Sequence, residues 1–284
     1  MSGLTPEQLQ HRRTFVGASE VPALLGISPF ANAVSVWASK MGLVVQETTD
    51  AMKAGNYLEA GLGRWYADET GFEVANFGSV VHPKYPFMGC TPDLCVFGQR
   101  RIAQIKMVGT FMAHHWEDGV PDYVEAQVQH EMEVCDVDVC DVVALIGGTE
   151  FRIMPVERDR ELGGYLVEVC RDFYERYVIT REMPPVDGSK HSEEALKARF
   201  GRDKTGIILP NEQIDALAKA WLKANARLDE AKGDRDLLTN QLKAILGDAQ
   251  GVDGDSYRIR WKTNATGARP FTLKAIALRS ARAA

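Results

Sequence analysis

The stretch that decides the fold is TPDLCVFGQRRIAQIK, Thr91–Lys106, which predicts two paired strands joined by a tight turn. Gly98-Gln99 supplies the turn, because glycine permits the backbone angles that a short reversal needs. Mostly apolar runs on either side supply the two strands. The sequence therefore predicts a hairpin whose second strand continues to Val108.

Polar side chains are expected to meet on one side of this hairpin. Side chains alternate between the two faces of a strand, so Gln104 and Lys106 share a face. Asp93, which follows a proline, precedes the first strand on the same side. The other face is predicted to point into a core through Ala103, Ile105 and Met107. A carboxylate, an amide and an ammonium group should therefore converge.

Length and composition indicate a globular chain with a substantial core. It has 284 residues, of which 45% are hydrophobic and 25% charged. We predict no membrane span, because no apolar run is long enough, and no signal peptide in MSGLTPEQLQHRR. The five cysteines fit buried thiols in a reducing compartment, so a cytoplasmic location is expected.

The net charge of −6 is unevenly distributed. Residues 1–190 carry 16 Lys and Arg against 27 Asp and Glu, whereas residues 191–284 carry 17 against 12. Bulk charge in the first part would repel nucleic acid, so binding there would need a local basic patch or bridging metal ions.

Residues 1–187 are predicted to form one mixed α/β unit. A short helix with Ser19 as its N-cap precedes amphipathic helices in VSVWASKMGL and AGNYLEAGLGRWYADETG. Strands follow up to Val108. A helix in VEAQVQHEMEVCDV, strands in VVALIGG and FRIMPV, and a helix in ELGGYLVEVCRDFYERYVIT complete the unit.

MPPVDGSK predicts a connector to a second unit, residues 188–284, because its prolines stop a helix. A heptad stripe begins after Asn211 and is interrupted by Arg235. Its members are Leu217, Trp221, Ala224, Leu228, Ala231, Leu238, Leu242 and Ile245. The stripe is typical of a helical hairpin or of an oligomer seam, and the sequence leaves both open.

The end of the chain predicts a small β-hairpin from SYRIRWK and ARPFTLKAI. Tyr257, Trp261 and the neighbouring arginines fit single strands held by stacking, or ordinary packing in a sheet.

The convergent polar residues suit phosphodiester hydrolysis. That reaction uses a divalent cation, and Mg²⁺ or Mn²⁺ prefers oxygen ligands. Asp93, Glu59 on the preceding helix and the carbonyl of Ile105 would provide such oxygens. Lys106 would orient or deprotonate the attacking water and offset negative charge.

The series GASEVPALLG, GNYLEAG, TPD, QIK and EAQVQHEM resembles the YqaJ-type viral recombinase family, a branch of the lambda-exonuclease-like PD-(D/E)XK nucleases. The resemblance covers residues 10–185 and implies a restriction-endonuclease-like α/β core with a central mixed sheet flanked by helices. A helical hairpin or coiled coil and the small β-hairpin would follow that core.

The resemblance also implies residue roles. Glu59 and Asp93 match the metal-binding acids, Lys106 the catalytic lysine and Gln127 the glutamine of the helix motif. Gln104 stands at the position of a further catalytic, metal-binding acid. The segment that grips a terminal 5′-phosphate is matched by Arg12 or Arg13, Ser19 and Thr91.

By this resemblance the chain is a metal-dependent 5′→3′ double-strand DNA exonuclease of a phage or prophage recombination system. It would form a homotrimeric ring and act with a single-strand annealing protein. Two features depart from the family pattern. Gln104 replaces the expected Glu or Asp, and MVGTFM lacks the expected basic residue. A DNA-end-binding module without hydrolysis and a structure-selective endonuclease therefore stay as alternatives.

Overall fold

The computed structural model describes residues 10–44, 49–76, 78–203 and 206–276. The chain divides into two compact units, Met1–Asp203 and Lys204–Ala284. Residues 1–9, where the sequence predicts no signal peptide, lie outside the described residues. No helix in the described residues combines the length and apolarity that crossing a bilayer requires.

A mixed sheet with the strand order β2-β5-β6-β7-β8 forms the centre of the first unit. Its strands are β2 (Val74–Ala75), β5 (Leu94–Val96), β6 (Arg101–Val108), β7 (Val139–Ile146) and β8 (Glu150–Glu157). The predicted hairpin is confirmed, because β5 and β6 are antiparallel with Leu94 opposite Ala103. The β6 and β7 strands are parallel, and β8 returns antiparallel to β7.

Helices cover both faces of this sheet. Helix α3 (Asp50–Thr70) packs on the face that carries Ala103 and Ile105. Helix α4 (Asp122–Cys135) packs on the face that carries Ile102 and Val108. The prediction that Met107 points into a core is wrong, since its side chain is 38% exposed near the end of β6.

A second layer surrounds a small sheet with the order β1-β4-β3. Its strands are β1 (Val16–Gly17), β3 (Val80–Val81) and β4 (Met88–Cys90). Helices α1 (Val21–Leu24), α2 (Ala33–Lys40) and α5 (Arg160–Phe173) bury one apolar cluster with it, including Trp37 and Leu166. A π-helical turn, Tyr174–Ile179, extends α5.

The division into units falls later in the chain than the connector predicted at residue 187. Helix α6 (Lys190–Arg199) follows that connector and packs against α2. The Asn32 amide donates to Ser192 Oγ over 2.9 Å, and the Arg199 guanidinium lies 4.8 Å from the centre of the Trp37 ring. These contacts attach α6 to the first unit.

The second unit consists of one long helix and a three-stranded sheet. Helix α7 (Glu212–Leu246) begins at an N-cap, Asn211, and ends at Gly247. It is continuous, so the predicted hairpin of helices does not occur within these described residues. The predicted β-hairpin, β10 (Tyr257–Trp261) with β11 (Phe271–Ala275), is present. It gains a third strand, β9 (Gly251–Asp253).

Candidate active site

Asp93 is fixed against the second strand of the hairpin. One carboxylate oxygen accepts hydrogen bonds from the Gln104 Nε2 amide over 2.6 Å and from the Ile105 backbone N–H over 2.7 Å. Burial raises the pKa of Asp93 to about 6, against the opposing effect of the Lys106 charge. The two donors thus hold the Asp93 carboxylate at a buried position, where loss of hydration disfavours its ionised form.

Lys106 belongs to a chain of hydrogen bonds that leads into α4. Its ammonium group donates to Gln127 Oε1 over 2.8 Å, and Gln127 Nε2 donates to Glu131 Oε1 over 2.8 Å. Burial raises the pKa of Glu131 to about 8. Because Lys106 can only donate, Gln127 must turn its Oε1 towards it, and its Nε2 is left to donate to a Glu131 oxygen, which accepts in either protonation state of that carboxyl group.

Glu131 also belongs to this site, although it was not among the residues predicted from the sequence, and it lies inside EAQVQHEM. The signal was present, since Glu131 follows Gln127 by four residues and so lies on the same face of a helix. Its side chain is 1% exposed, and its second oxygen has no hydrogen-bond partner in the described part of the chain.

Glu59 approaches Asp93 from α3, the helix on the other face of the sheet. Gly63, one turn later, lets α3 lie against Leu94 and Ile105, because a Cβ there would come within 3.3 Å of the Leu94 side chain. Burial raises the pKa of Glu59. The negative charge of Glu59 adds to the effect of burial in raising the pKa of Asp93.

The donor set fits a hard divalent cation. Gln104 is 6% exposed, and its Oε1 is buried without a hydrogen-bond partner among the described residues. An amide oxygen without a partner, on a side chain that contacts the Asp93 carboxylate, is a suitable ligand for Mg²⁺ or Mn²⁺. The described residues contain no group of three or more His, Cys, Asp and Glu side chains that could bind a metal, so an amide or carbonyl would have to complete this site.

The N-terminal residues predicted to bind phosphate are only partly brought together. Arg12 Nη2 donates to Ser19 Oγ over 3.3 Å, whereas the Arg13 guanidinium lies against Gly42. Thr91 is exposed before Pro92. The prediction that Ser19 is a helix N-cap is wrong, because it lies inside a 3₁₀ helix, Ala18–Glu20.

Glu20 explains this local structure. Its carboxylate accepts from the Gly17 backbone N–H over 2.7 Å and forms an ion pair with Lys40 at 2.5 Å. Lys40 also donates to the Arg12 carbonyl over 2.7 Å. The buried Lys40 therefore ties the backbone of Arg12 to the turn that carries Ser19.

A known protein family matches the part of the chain that contains the candidate site. Residues 7–138 match the family described as the YqaJ-like viral recombinase domain. The uncharacterized protein YqaJ of Bacillus subtilis (strain 168) is 27% identical over 268 residues, which is 90% of this chain and 82% of that protein.

Two solved structures share the fold. An alkaline exonuclease from Laribacter hongkongensis, LHK-Exo, is 24% identical with a TM-score of 0.53, over 62% of this chain and 94% of that one. LHK-Exo in complex with dAMP is 22% identical with a TM-score of 0.54, over 69% of this chain and 98% of that one. The likeness establishes a common mixed α/β architecture.

Proposed function

We propose that this chain, which carries a YqaJ-like viral recombinase domain, is a metal-dependent exonuclease that degrades linear double-stranded DNA in the 5′→3′ direction. The products would be 3′ single-stranded overhangs, taken up by a single-strand annealing protein in the host cytoplasm. A homotrimeric ring around the duplex is part of the proposal. The observation that carries it is the arrangement of Asp93 against β6 beside Lys106.

Glu59, Asp93 and Gln104 would hold Mg²⁺ or Mn²⁺, and the Ile105 carbonyl remains a further proposed ligand. A cation bound there would neutralise charge on the phosphate and lower the pKa of the attacking water. The Ile105 amide and the Gln104 amide keep Asp93 in place without a second carboxylate.

Lys106 would orient the water and donate to an oxygen of the phosphate in the transition state. Gln127 holds the ammonium group through an oxygen that remains an acceptor, and Glu131 fixes the direction of that amide. The positioning is thus built from one strand and one helix, which are rigid supports.

Recognition of the terminal 5′-phosphate is proposed for Arg12 with Ser19. Arg12 is half-buried and its guanidinium already contacts the hydroxyl of Ser19, an exposed residue. Arg13 and Thr91 remain candidates for the same phosphate. LHK-Exo has been solved with dAMP, which supports a nucleotide end as the ligand of this fold.

The proposal is tested with linear duplex labelled separately at its 5′ and 3′ ends and phosphorylated at the 5′ end. We expect Mg²⁺-dependent release from the 5′ end by the native chain and by Met107→Ala, and loss of at least about 10³-fold in Lys106→Ala. Met107 is the exposed neighbour on the same strand. Equal rates in the two variants would reject the proposed role of Lys106.

One observation favours a second candidate, a DNA-end-binding module without hydrolysis. Gln104 donates its amide N–H to Asp93 and adds no negative charge for a metal. End binding without any metal-dependent digestion would support that module. Cleavage of a covalently closed circular duplex would instead indicate an endonuclease using the same site.

A further inference from the structure

Helix α7 exposes an apolar stripe along most of its length. The helix has 35 residues and is about 52 Å long. Trp221 is 65% exposed and Ile245 82% exposed. Leu217, Leu228 and Leu238 of the stripe are also exposed, and the exposed Ile214 extends it by one position towards the start of the helix. A stripe of this size facing water is unfavourable, so it marks a surface that another apolar surface covers.

The small sheet of the same unit covers only the last part of the helix. Leu246, the last residue of the helix, and Ile259 on β10 are both buried. The Lys243 ammonium lies 5.9 Å from the centre of the Trp261 ring and 5.8 Å from that of Phe271. The exposed stripe lies mostly before this contact.

We propose that the stripe binds the same helix of a second copy of this chain, running in the opposite direction over the full length of the stripe. Such a two-fold contact cannot form inside a threefold ring, so it would join subunits of two of the proposed rings. The heptad positions alternate between two sets, one containing Trp221, Leu228 and Arg235, the other Ala224, Ala231 and Leu238. Parallel helices pair each set with itself, whereas antiparallel helices pair one set with the other.

Arg235 decides between these arrangements. In a parallel pair, Arg235 would face Arg235 of the second copy inside the apolar seam. In the antiparallel pair with full overlap, it faces Ala224, whose small side chain leaves room for the arginine stem to pass to solvent. Trp221 then faces Leu238, and Leu228 faces Ala231.

Charged residues beside the paired stripes also favour the antiparallel arrangement. A parallel pair would place Arg227 next to Lys232 of the second copy, which is repulsive. The antiparallel pair places Arg227 at nearly the level of Asp234 on the same side, which is attractive. Asp234 and Arg227 are exposed, so these charges affect orientation more than affinity.

The first test compares two adjacent leucines by sedimentation of the full chain. Leu238 belongs to the stripe and is 59% exposed; Leu237 lies beside it and is 58% exposed. Leu238→Asp should halve the mass of the native assembly and weaken association about 100-fold or more, while Leu237→Asp keeps the native mass. Equal masses for both variants and the native chain would overturn the proposal.

The relative direction of the two helices is tested by disulfide formation in the folded assembly. Unlike the aspartate variants, the cysteine variants introduce no charge into the stripe. Mixed Trp221→Cys and Leu238→Cys chains should form a covalent dimer through these two positions, as mapped by mass spectrometry. Neither variant should form it alone. Dimers of Trp221→Cys with itself would indicate a parallel pair and overturn the antiparallel assignment; absence of any covalent dimer would overturn the pairing itself.

Discussion

The active-site region and helix α7 depart from ordinary burial in opposite directions. Gln104, Gln127 and Glu131 are buried polar side chains with hydrogen bonds inside the first unit, whereas Leu217 and Trp221 are large apolar side chains in solvent. The polar cluster is stabilised by hydrogen bonds within its own unit, so it is preorganised before any ligand arrives. The apolar stripe is exposed, and we propose that a second copy of the chain covers it.

This difference predicts different responses to substitution. Changes in the polar cluster should alter chemistry and pH dependence, sometimes with a gain in stability, because burial of its charges is costly. Changes in the stripe should alter the assembly. The following experiments test the first half of that comparison, from the largest expected effect to the smallest.

Asp93→Asn should separate activity from stability. Removing the charge should lower the cleavage rate by about 10³-fold or more, because Asp93 is the carboxylate held beside Lys106. The pKa of Asp93 is raised by burial to about 6, so its ionised form costs folding free energy above that pH. The variant should therefore be as stable as the native chain, or more stable, near pH 8. A large drop in its melting temperature would contradict this.

Glu131→Gln should stabilise the metal-free chain increasingly as pH rises. The raised pKa of Glu131, about 8, means that the folded chain binds a proton the unfolded chain has lost, so native stability falls between about pH 4.5 and 8. The variant should gain on the order of a few kcal/mol near pH 8.5 and little near pH 5 in urea unfolding.

Glu125→Gln provides the control for Glu131, since Glu125 is exposed on the same helix. Its effect should be small at every pH. A stability difference for Glu131→Gln that does not change with pH would mean that Glu131 is ionised in the folded chain throughout this range.

Gln104→Glu should tighten metal binding by about tenfold, because it adds a charge to an oxygen ligand. Calorimetric titration with Mn²⁺ measures this directly. Gln99→Glu adds the same charge at the exposed turn of the same hairpin and should leave the affinity unchanged. Equal affinities for the native chain and both variants would exclude Gln104 as a ligand.

Arg12→Ala should reduce the preference for 5′-phosphorylated over 5′-hydroxyl ends several-fold, in line with the loss of one charge-assisted hydrogen bond. Arg13→Ala should reduce this preference less, because the Arg13 guanidinium lies against Gly42 whereas that of Arg12 contacts Ser19. The rates on the two kinds of end should be compared for each variant. If Arg13→Ala lost more of the preference for 5′-phosphorylated ends than Arg12→Ala, Arg13 and not Arg12 would be the residue that binds the phosphate.

Local sequence patterns were sufficient to predict the secondary-structure elements that position Asp93 and Lys106. The turn at Gly98 and the alternation along β6 predicted the hairpin, and α3 ends at Gly71, with φ of +70°, the last residue of the stretch AGNYLEAGLGRWYADETG that was predicted to be helical. Both rest on interactions between near neighbours in sequence. That is why the sequence alone was enough for them.

Other features depend on tertiary contacts. Ser19 fits an N-cap by residue type, but Glu20, paired with Lys40 of α2, satisfies the Gly17 backbone N–H instead. The spacing of four residues places Glu131 on the same helix face as Gln127, but its burial depends on the tertiary packing of α4 against β6 and β7. Strand β9 lacks a strong pattern because it has three residues.

The central claim is that Glu59, Asp93 and Gln104 share one cation next to Lys106. Anomalous diffraction from crystals soaked in Mn²⁺ tests it most directly. The account predicts one ion about 2.0–2.4 Å from an oxygen of each of these three side chains. Density for the ion elsewhere, or a Glu59 carboxylate too distant to reach it, would contradict the account.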